Sequence, residues 1–396
     1  MANPILNREQ DAIIARIRSQ MEKDGLEAML LIAHDSILYA TGYGSTGAYE
    51  SGKVGSVAAV IPMTGKPILI CNEFEKEAVV TTAPEMEIIT YPTWIFIEDY
   101  AIPGVKKEVQ PDPFKIYRLA ADAALEHSGK GKIGVESDAI PHAEWEFLCE
   151  KIGAERLKDC NHALIEARLI KTPWEIEMLR QAAVASELAM NRTAKQTCPG
   201  MNESDITRLF RLECWKQSPF ITRVVHAHTV GKDFGPAYLT RTDRVDRGDI
   251  VRLDGGPAIC GYNSDIARTY AVGGYADAEK AHVYESLYKG FEAGLRIAGP
   301  GVRMCDVFHE IEGTIKQNIP IYIRGHHGHS ISCSRVTADA TYIGRDETRV
   351  FEENMVFCME TPYYSSKHHS FNIEDTFVVT SNGIERFTHA YPTMIW

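Results

Sequence analysis

A strong helix-start signal at Thr172 constrains the fold of this chain more than any other single feature. Thr172 has a hydroxyl that can cap a helix, Pro173 suits the first helical position, and Glu175 stands at the third position, where its side chain can bond back to the cap. The apolar residues that follow at helical spacing are Ile176, Leu179, Ala183 and Leu188. This pattern predicts a long packed helix close to the start of a new domain.

The length of the chain agrees with a domain boundary in this region. A chain of 396 residues exceeds the usual size of a single domain, and each part is long enough to bury its own core. We therefore predict two domains, residues 1–160 and residues 161–396.

The first 160 residues show the mixture of helices and strands that is typical of an α/β domain. A first helix is indicated by the apolar residues Ile13, Ile14, Ile17 and Met21. Gly25 ends this helix. Strands are predicted at residues 28–33, 37–41, 57–61, 67–71 and 132–136, with 57–61 and 67–71 forming a hairpin. No chemically active side chains are concentrated in this half of the chain.

The second half has a different pattern. After Pro199 and Gly200, the residues Ile206, Leu209 and Phe210 predict another helix, and residues 302–315 predict a further one. Short β-type segments lie between and after these helices. The second domain is therefore predicted to be α+β.

Charge and composition exclude several classes of protein. The chain is 44% hydrophobic and 24% charged, and its formal net charge of −12 comes without a block of Lys or Arg. Nucleic acid and an anionic membrane surface are therefore not expected as partners. No apolar run approaches the roughly 20 residues that span a bilayer, and the first residues lack the layout of a signal peptide, so a cytoplasmic protein is expected. The nine cysteines are scattered without a Cys-x-x-Cys pair, which indicates reduced thiols.

Two acids flank a glycine-rich turn in the second half. Asp254 ends the β-type run 249–254, and Asp265 precedes another such run, 266–270. If these strands pair antiparallel, the two carboxylates approach each other, and a cation or protons must relieve their repulsion. The alternative is a pair of solvated turn acids.

Two further acids repeat this placement. Glu360 ends the apolar run 356–360, and Glu374 stands just before the strand-like residues 376–379. Burying several like charges costs kilocalories unless a cation is bound. Four acids at strand ends therefore favour a metal site over four unrelated surface positions.

Three histidines, His326, His327 and His329, lie within four residues, with glycines among them. Neutral imidazole is a metal ligand, and glycine lets the backbone approach a site closely. A functional cluster is one interpretation. A surface metal-binding patch or a simple turn is the other.

In order and spacing, these residues resemble the metal-ligand set of the prolidase, aminopeptidase P and methionine aminopeptidase clan. The matching segments are Leu-Asp254-Gly-Gly, Ser-Asp265-Ile-Ala-Arg-Thr, Gly-His329-Ser, Met-Glu360-Thr-Pro and Ile-Glu374-Asp-Thr. The segment Ala167-Arg-Leu-Ile-Lys171-Thr-Pro looks like the start of that clan's catalytic domain. The resemblance covers nearly the whole chain. It implies a "pita-bread" catalytic domain preceded by an α/β domain similar to that of creatinase and prolidase.

The resemblance also implies a site for two divalent metal ions. Asp265 and Glu374 would bridge the ions, Asp254 would bind one of them, and His329 and Glu360 would bind the other. Glu360 would also act as the base for a water molecule. Such oxygen-rich ligands favour Mn²⁺, with Co²⁺, Fe²⁺ and Zn²⁺ as alternatives. A homodimer is implied as well, in which the glycine-rich residues 42–47 can reach a partner's site.

The chain departs from the clan at three positions. Ala237 and Val336 stand where the clan has histidines, and Asn372 stands where prolidases have arginine. His228 is our first candidate for a catalytic residue that replaces the missing substrate contact. The other candidates are His226, Tyr238, His326, His327, Lys367, His368 and His369.

The expected function is hydrolysis of a C–N bond in a small substrate, either an Xaa-Pro dipeptide or a specialised N-substituted or cyclic amino acid derivative. A metal-dependent lyase similar to the dimethylsulfoniopropionate lyases is an alternative, although Gly256 stands where those enzymes carry an additional acid. A metal-free, creatinase-like hydrolase is another alternative, but it would lack the ligand acids that this chain has. The last alternative is a pita-bread binding protein without catalysis, and such relatives lose the metal ligands.

Overall fold

The computed structural model describes residues 4–51, 56–95, 97–100, 103–104, 112–231, 234–235 and 244–394. The chain forms two compact units, divided between Arg168 and Leu169. None of the helices described combines the length and the apolar character that crossing a lipid bilayer demands. Each unit has its own sheet.

The first unit is a six-stranded mixed sheet with helices. Its helices are α1 (Gln10–Asp24), α2 (His34–Thr41), α3 (Thr46–Ser51), α4 (Lys76–Thr82), α5 (Lys115–Ser128), α6 (His142–Ile152) and α7 (Asn161–Leu169), the last of which crosses the division. Its strands are β1 (Leu26–Leu31), β2 (Ala58–Pro62), β3 (Ile68–Asn72), β4 (Glu87–Tyr91), β5 (Lys132–Val135) and β6 (Leu157–Asp159). The strand order is β4-β3-β2-β1-β5-β6, antiparallel from β1 to β3 and parallel in the outer pairs. This confirms the α/β class predicted for the first half.

The predicted first helix and the predicted hairpin are both present. Helix α1 buries the four apolar residues that indicated it and ends at Gly25, whose φ of 67° lies in the left-handed region that favours glycine. Strands β2 and β3 pair antiparallel, with Ala59 opposite Leu69. Helix α5 packs on this sheet and buries Ile116, Tyr117 and the neighbouring alanines in the core.

The prediction of a strand at residues 37–41 is wrong. These residues lie in α2, and every side chain from Ser36 to Thr41 is buried. A short apolar run without polar alternation fits a buried helix as well as a strand. The deciding signal is Gly42, which ends the helix with a φ of 78° and donates its backbone N–H to the carbonyl of Leu38.

The second unit combines a nine-stranded sheet with long helices. Its helices are α8 (Pro173–Gln196), α9 (Glu203–Trp215), α10 (Ala278–Ile297) and α11 (Met304–Lys316). Its strands are β7 (Ile221–His226), β8 (Thr229–Val230), β9 (Ile250–Ile259), β10 (Ile266–Ala271), β11 (His326–Ser330), β12 (Asp339–Gly344), β13 (Val356–Glu360), β14 (Tyr363–Ser365), β15 (His369–Phe371), β16 (Glu374–Thr380) and β17 (Gly383–Arg386). The sheet runs β12-β11-β13-β16-β10-β9-β7, with β17 on β16 and β8 on β9, and its pairings are antiparallel. Strands β14 and β15 form a separate hairpin. The predicted α+β class is confirmed.

Helix α8 begins where Thr172 predicted. The Thr172 hydroxyl accepts the backbone N–H of Glu175, and the Glu175 carboxylate accepts the N–H of Thr172 at 2.8 Å. The helix packs against α9 and β9. Leu188, which was predicted to belong to the packed stripe, is 42% exposed. It follows Ala183 by five residues, which is about 140° of rotation away from the buried face.

Helices α10 and α11 pack against β13, β11 and β12 at one end of the sheet. The sequence pattern predicted α11 at residues 302–315 but did not single out α10. Both helices contribute to one core with the phenylalanines of the sheet. The largest buried members of that core include Phe291, Phe308, Phe351 and Phe357. Strands β13 and β16 contribute Phe357 and Phe377 to this core.

The prediction that a strand ends at Asp254 is wrong, because β9 continues for five more residues. Gly255 has a φ of 99°, and a Cβ at this residue would lie 2.7 Å from the carbonyl oxygen of Val225 on β7. A Cβ at Gly256 would lie 2.3 Å from the hydroxyl of Ser186 on α8. The two glycines therefore let β9 pass between close neighbours, and Asp254 projects from the middle of a strand rather than from a turn.

Candidate metal centre

Adjacent strands place three carboxylates in a single row. On β10, Ala267 is the register partner of Asp254 on one side and of Glu374 on the other. Glu374 is in turn the partner of Glu360 on β13. Directly opposed residues project from the same face of a sheet. Ala267 is buried and presents only a methyl group, so the three carboxylates face one shared space.

Asp265 and His329 join this row. Oxygens of Asp254, Asp265 and Glu374 lie within 4.8 Å of one another. The His329 Nε2 atom lies 3.6 Å from Asp265 Oδ2 and 3.9 Å from Glu374 Oε1. The His329 Nδ1–H donates to the Ser330 carbonyl at 3.1 Å, which leaves the Nε2 lone pair facing the acids. The structure thus brings together all five residues that the sequence singled out as ligands.

Asn372, one of the three departures from the clan pattern, lies inside the group. Its Nδ2 atom is 3.4 Å from Asp254 Oδ2, 3.3 Å from Glu360 Oε2 and 3.3 Å from Glu374 Oε2. Its backbone is fixed by Thr269, whose hydroxyl donates to the Asn372 carbonyl and accepts the Asn372 N–H. A neutral amide therefore donates toward three carboxylates at once.

Burial and mutual repulsion set the protonation of the acids. Burial raises the pKa of Asp265 and Glu374 well above the usual range, and the neighbouring carboxylates raise it further. Burial also raises the pKa of Asp254, with Arg252 opposing this shift. For Glu360 burial acts in the same direction, but the charges of Arg324 and the histidines outweigh it and lower the pKa.

The donor set fits divalent metal ions. Buried carboxylates that raise one another's pKa values are in the situation that a bound cation relieves. Oxygen ligands with one imidazole suit Mn²⁺ and also Fe²⁺, Co²⁺ and Zn²⁺. The thiol of Cys358 also lies within 4.8 Å of ligand atoms of His329 and Glu374, and it donates to the Asp265 carbonyl at 3.3 Å. All nine cysteines are free.

A buried ion-pair network fixes the backbone at Glu374 and Asp375. Arg268 donates to the Glu374 carbonyl at 2.7 Å and to the Asp375 carboxylate at 2.8 Å. Arg386 donates to the same carboxylate at 2.7 Å. Burial would raise the pKa of Asp375, but these two guanidinium groups hold it below the usual range. The backbone on which Glu374 stands is therefore anchored independently of any bound ion.

The sequence interpretation missed two cations beside the acids. Arg324 Nη2 donates to Glu360 Oε1 at 2.8 Å, and Arg252 Nε lies 3.9 Å from Asp254 Oδ2. Arg252 stands two residues before Asp254, and side chains two apart on a strand share a face. That spacing was the available signal for Arg252. For Arg324 the only signal was its place beside the Gly-His-His segment.

His228, the first candidate for a replacement catalytic residue, is buried next to Asp254. Its Nδ1 atom accepts the backbone N–H of Asp254 at 3.2 Å, so the proton of the neutral ring is on Nε2. That Nε2 atom has no hydrogen-bond partner within the described ranges. Burial, followed by the charges of His226 and Arg252, lowers the pKa of His228 well below its usual value. His228 is thus a neutral hydrogen-bond donor in this arrangement.

The other candidates are placed in different ways. His326 Nδ1 lies 3.3 Å from Glu360 Oε1, at the site. His327 Nδ1 donates to the Glu360 carbonyl, and burial lowers the pKa of His327 to about 4, so His327 supports the strand. His226 contacts Arg211 and lies 5.2 Å from the His228 ring, and Lys367 and His368 contact Glu279. His369 lies in the β14–β15 hairpin, with a φ of 76°. Among the contacts described, His326 reaches the carboxylate of Glu360 and His228 reaches the backbone N–H of Asp254.

Val336 is another departure from the clan pattern, and the structure describes it. This residue is 64% exposed, and its carbonyl accepts hydrogen bonds from Asn263 and Ser334. Ala237 lies outside the described residues, as does Tyr238.

Two family descriptions match this chain. Residues 13–170 match the Creatinase/Prolidase N-terminal domain, and residues 177–381 match Metallopeptidase family M24. The second match covers more than half of the chain.

Curated relatives match this chain at low identity, over nearly its whole length or over part of it. The Xaa-Pro dipeptidase of Pyrococcus horikoshii is 24% identical over 384 residues, which are 95% of this chain and 96% of that protein. The Xaa-Pro aminopeptidase of Escherichia coli is 26% identical over 256 residues, which are 56% of this chain and 57% of that protein.

Solved structures share the architecture. The Xaa-Pro dipeptidase from Bacillus anthracis superposes with a TM-score of 0.80 at 22% identity, covering 98% of this chain and 99% of that one. The prolidase from Pyrococcus horikoshii gives 0.77 at 20% identity, covering 96% and 98%. These likenesses confirm the predicted fold.

Proposed function

The chain belongs to metallopeptidase family M24, and from this membership we propose that it is a hydrolase that uses two divalent metal ions to cleave a C–N bond in a small amide or imide. One observation carries the proposal. Asp254, Glu374 and Glu360 form a row across neighbouring strands, with Asp265 and the His329 imidazole beside it.

We assign the ligands as the resemblance implies. Asp265 and Glu374 would be shared by both ions, Asp254 would hold one, and His329 and Glu360 would hold the other. Mn²⁺ is the first candidate because hard oxygen ligands dominate the set, and Fe²⁺, Co²⁺ and Zn²⁺ follow. When bound, such a pair of ions polarises a carbonyl and lowers the pKa of water.

The chain's own side chains would handle the proton and the substrate. Glu360 is the proposed base, because Arg324 keeps its pKa low enough for the carboxylate to be ionised despite burial. His228 is the proposed hydrogen-bond donor, through the Nε2–H that has no partner in the described part of the chain. His326 is proposed to exchange a proton with Glu360, because its Nδ1 atom lies 3.3 Å from Glu360 Oε1.

The substrate is proposed to be an Xaa-Pro dipeptide or a specialised N-substituted or cyclic amino acid derivative. Dipeptidase relatives support the first class. The residues Ala237, Val336 and Asn372 favour the second, because the clan's substrate-handling side chains are absent there. Assembly as a homodimer is part of the proposal.

Elemental analysis of the purified protein tests the metal proposal, before and after chelation and on Glu374→Ala. We expect about two transition-metal ions per chain in the wild type and their loss in the variant, as for a two-metal site. The metal that binds is then used to screen dipeptides and small N-substituted amides for hydrolysis. A wild type that takes up no divalent metal under any loading condition, or a metal-replete and active Glu374→Ala, contradicts the proposal.

A further inference from the structure

Cys358 is a fully buried thiol beside the acidic row, and the proposed metal binding leaves it unused. It stands on β13 two residues before Glu360, and side chains two apart on a strand project from the same face of the sheet. Its chain neighbours, Phe357 and Met359, belong to the apolar core and so occupy the other face. The alternation of β13 therefore turns the sulfur toward the face that carries the proposed ligands.

The neighbouring strands bring two ligand candidates to this thiol. The register partner of Cys358 on β11 is His329, and its partner on β16 is Thr376, which follows Glu374 by two residues. The sulfur, a ring nitrogen of His329 and a carboxylate oxygen of Glu374 lie within 4.8 Å of one another. One imidazole, one thiol and one carboxylate, each from a different strand, thus converge on a shared space.

Hydrogen bonds fix the position of the sulfur. The Cys358 thiol donates to the backbone carbonyl of Asp265 at 3.3 Å, and its Sγ atom lies 3.5 Å from the hydroxyl of Thr376. Asp265 is itself one of the two proposed bridging ligands. The sulfur is therefore held next to the centre before any ion binds.

The ligand atoms divide into two groups that share Glu374. One group consists of the carboxylates of Asp254, Asp265 and Glu374, whereas the other consists of the His329 imidazole, the Cys358 thiol and the Glu374 carboxylate. Carboxylates alone suit hard ions such as Mn²⁺, while thiolate and imidazole suit thiophilic ions such as Zn²⁺. Zinc sites in proteins combine Cys, His and carboxylate ligands. The two halves of the centre therefore differ in their chemistry.

We propose that Cys358 is a ligand of the ion held by His329, and that its sulfur makes this half of the centre selective for thiophilic divalent ions. The inference rests on the proposed function, which supplies the two ions, and it deepens that function by assigning a further ligand and a class of metal. As the ion binds, the thiol releases its proton to solvent, its hydrogen bond to the Asp265 carbonyl is lost, and a sulfur–metal bond forms. The half that contains Asp254 keeps its preference for a hard ion.

Titration with Cd²⁺, a thiophilic probe, tests the assignment. Protein is freed of metal by chelation under reducing conditions, and the ultraviolet charge-transfer absorption from sulfur to cadmium is followed as Cd²⁺ is added. We expect this band to grow from the first addition and to saturate at about one sulfur-bound ion per chain. The affinities for Cd²⁺ and for Mn²⁺ are measured on the same samples by calorimetry.

Cys358→Ser should abolish the charge-transfer band and weaken Cd²⁺ binding by at least roughly tenfold to a hundredfold, since the loss of even an outer-shell partner weakens metal sites by that factor. The affinity for Mn²⁺ should change little, because a hard ion gains little from sulfur. Cys358→Ala is the second variant if a serine hydroxyl is not tolerated at this buried position, and the same loss of the band is expected from it.

Two further cysteine variants separate this thiol from the others. Cys198→Ser removes an exposed thiol that is able to take up Cd²⁺ at the surface, and Cys214→Ser removes a thiol on α9 that is as fully buried as Cys358. Both variants should keep the band and the wild-type affinity for Cd²⁺. A cysteine with a purely structural role at 358 would change the melting temperature when replaced and leave the band in place.

The outcomes for the thiol and for the metal centre are distinguishable. A Cd²⁺-loaded wild type without the band, a band that persists in Cys358→Ser, or a band that disappears in Cys198→Ser overturns the role of Cys358 and leaves the hydrolase proposal standing. A wild type that takes up neither Cd²⁺ nor Mn²⁺ overturns the proposed function, and the sulfur ligand with it.

Discussion

Glu360 and Glu374 face each other directly as register partners on β13 and β16, yet their pKa values move in opposite directions. Burial and the neighbouring acids raise the pKa of Glu374, whereas Arg324 and two histidines overcome burial and lower that of Glu360. Of these two neighbours in the row, Glu374 therefore holds a proton readily and Glu360 stays ionised.

Without metal, the stability contributed by this site should fall as the pH rises. Asp265 and Glu374 have raised pKa values in the folded state, so their contribution is fully present below the unfolded-state values near about pH 4 and is lost as the pH rises through the folded-state values. Thermal unfolding of chelated protein from about pH 5 to about pH 8 measures this decline. Metal-loaded protein should not show it, because bound ions keep the carboxylates ionised. Identical pH profiles for both forms would contradict the prediction.

Glu374→Gln should stabilise the metal-free protein at about pH 8 and destabilise it relative to wild type in the presence of metal. The substitution removes a buried negative charge that the neighbouring carboxylates destabilise. Each unit by which the folded protein raises the pKa of such a group corresponds to about 1.4 kcal/mol. The melting temperature should rise by roughly 2–4 °C per kcal/mol in a domain of this size. Glu385→Gln on β17, where the side chain is 56% exposed and pairs with Arg180, is the matched control and should change both forms little and equally. A metal-free variant that melts below wild type would be evidence against repulsion in the row.

Asn372→Asp should make the metal-free protein less stable, on the order of 1–3 kcal/mol, because it places another carboxylate within reach of three others. The same variant should lose most of this penalty when the ions are bound. Denaturant unfolding with and without Mn²⁺ measures the difference. Asn372→Ala, which removes the amide without adding charge, is the comparison, and a smaller loss is expected from it. Equal effects of the two substitutions would show that charge is not the cause.

Glu136 in the first unit is a second site of pH-dependent stability. Its Oε2 atom accepts the backbone N–H groups of Ile32 and Ala33, and burial raises its pKa to about 7. The stability it contributes is present below the unfolded-state pKa and is lost as the pH rises through about 7. Glu136→Gln keeps one oxygen for both hydrogen bonds and stays neutral, so it should be more stable than wild type at about pH 8, by roughly 1–3 kcal/mol, and no more stable at about pH 5. A constant difference across this range would refute the assignment.

Thr172→Ala should destabilise the second unit by about 1–2 kcal/mol, because it removes one half of the capping box at the start of α8. Thr172→Ser keeps the hydroxyl and should lose only a few tenths of a kcal/mol. The free energy of unfolding in urea distinguishes the two. A serine variant as unstable as the alanine variant would show that the threonine methyl group matters more than its hydroxyl.

The four acids among the ligand candidates could be predicted from sequence because each one stands beside or within an apolar run. His329 could be predicted from its cluster of histidines and glycines, and all five follow a familiar order and spacing. The contacts of Asn372, Arg252 and Arg324 could not, since they depend on which strands pair and in which register. Asp254 was assigned to a strand end because Gly255 and Gly256 read as a turn, whereas the tight neighbours Val225 and Ser186 require glycine within a continuing strand. The error at residues 37–41 has a similar origin, because a buried helix and a buried strand share the same short apolar pattern.

The pairing of Ala267 with both Asp254 and Glu374 has a consequence for how this sequence tolerates length changes. A single inserted or deleted residue within β10 would turn Ala267, or the residues beyond it, to the opposite face of the sheet. Asp254 and Glu374 would then no longer flank the same small side chain on one face. An insertion in the loop between β12 and β13 leaves that alternation untouched. Indels in this protein should therefore be accepted at the loops and rejected inside the central strands, even where every ligand residue is retained.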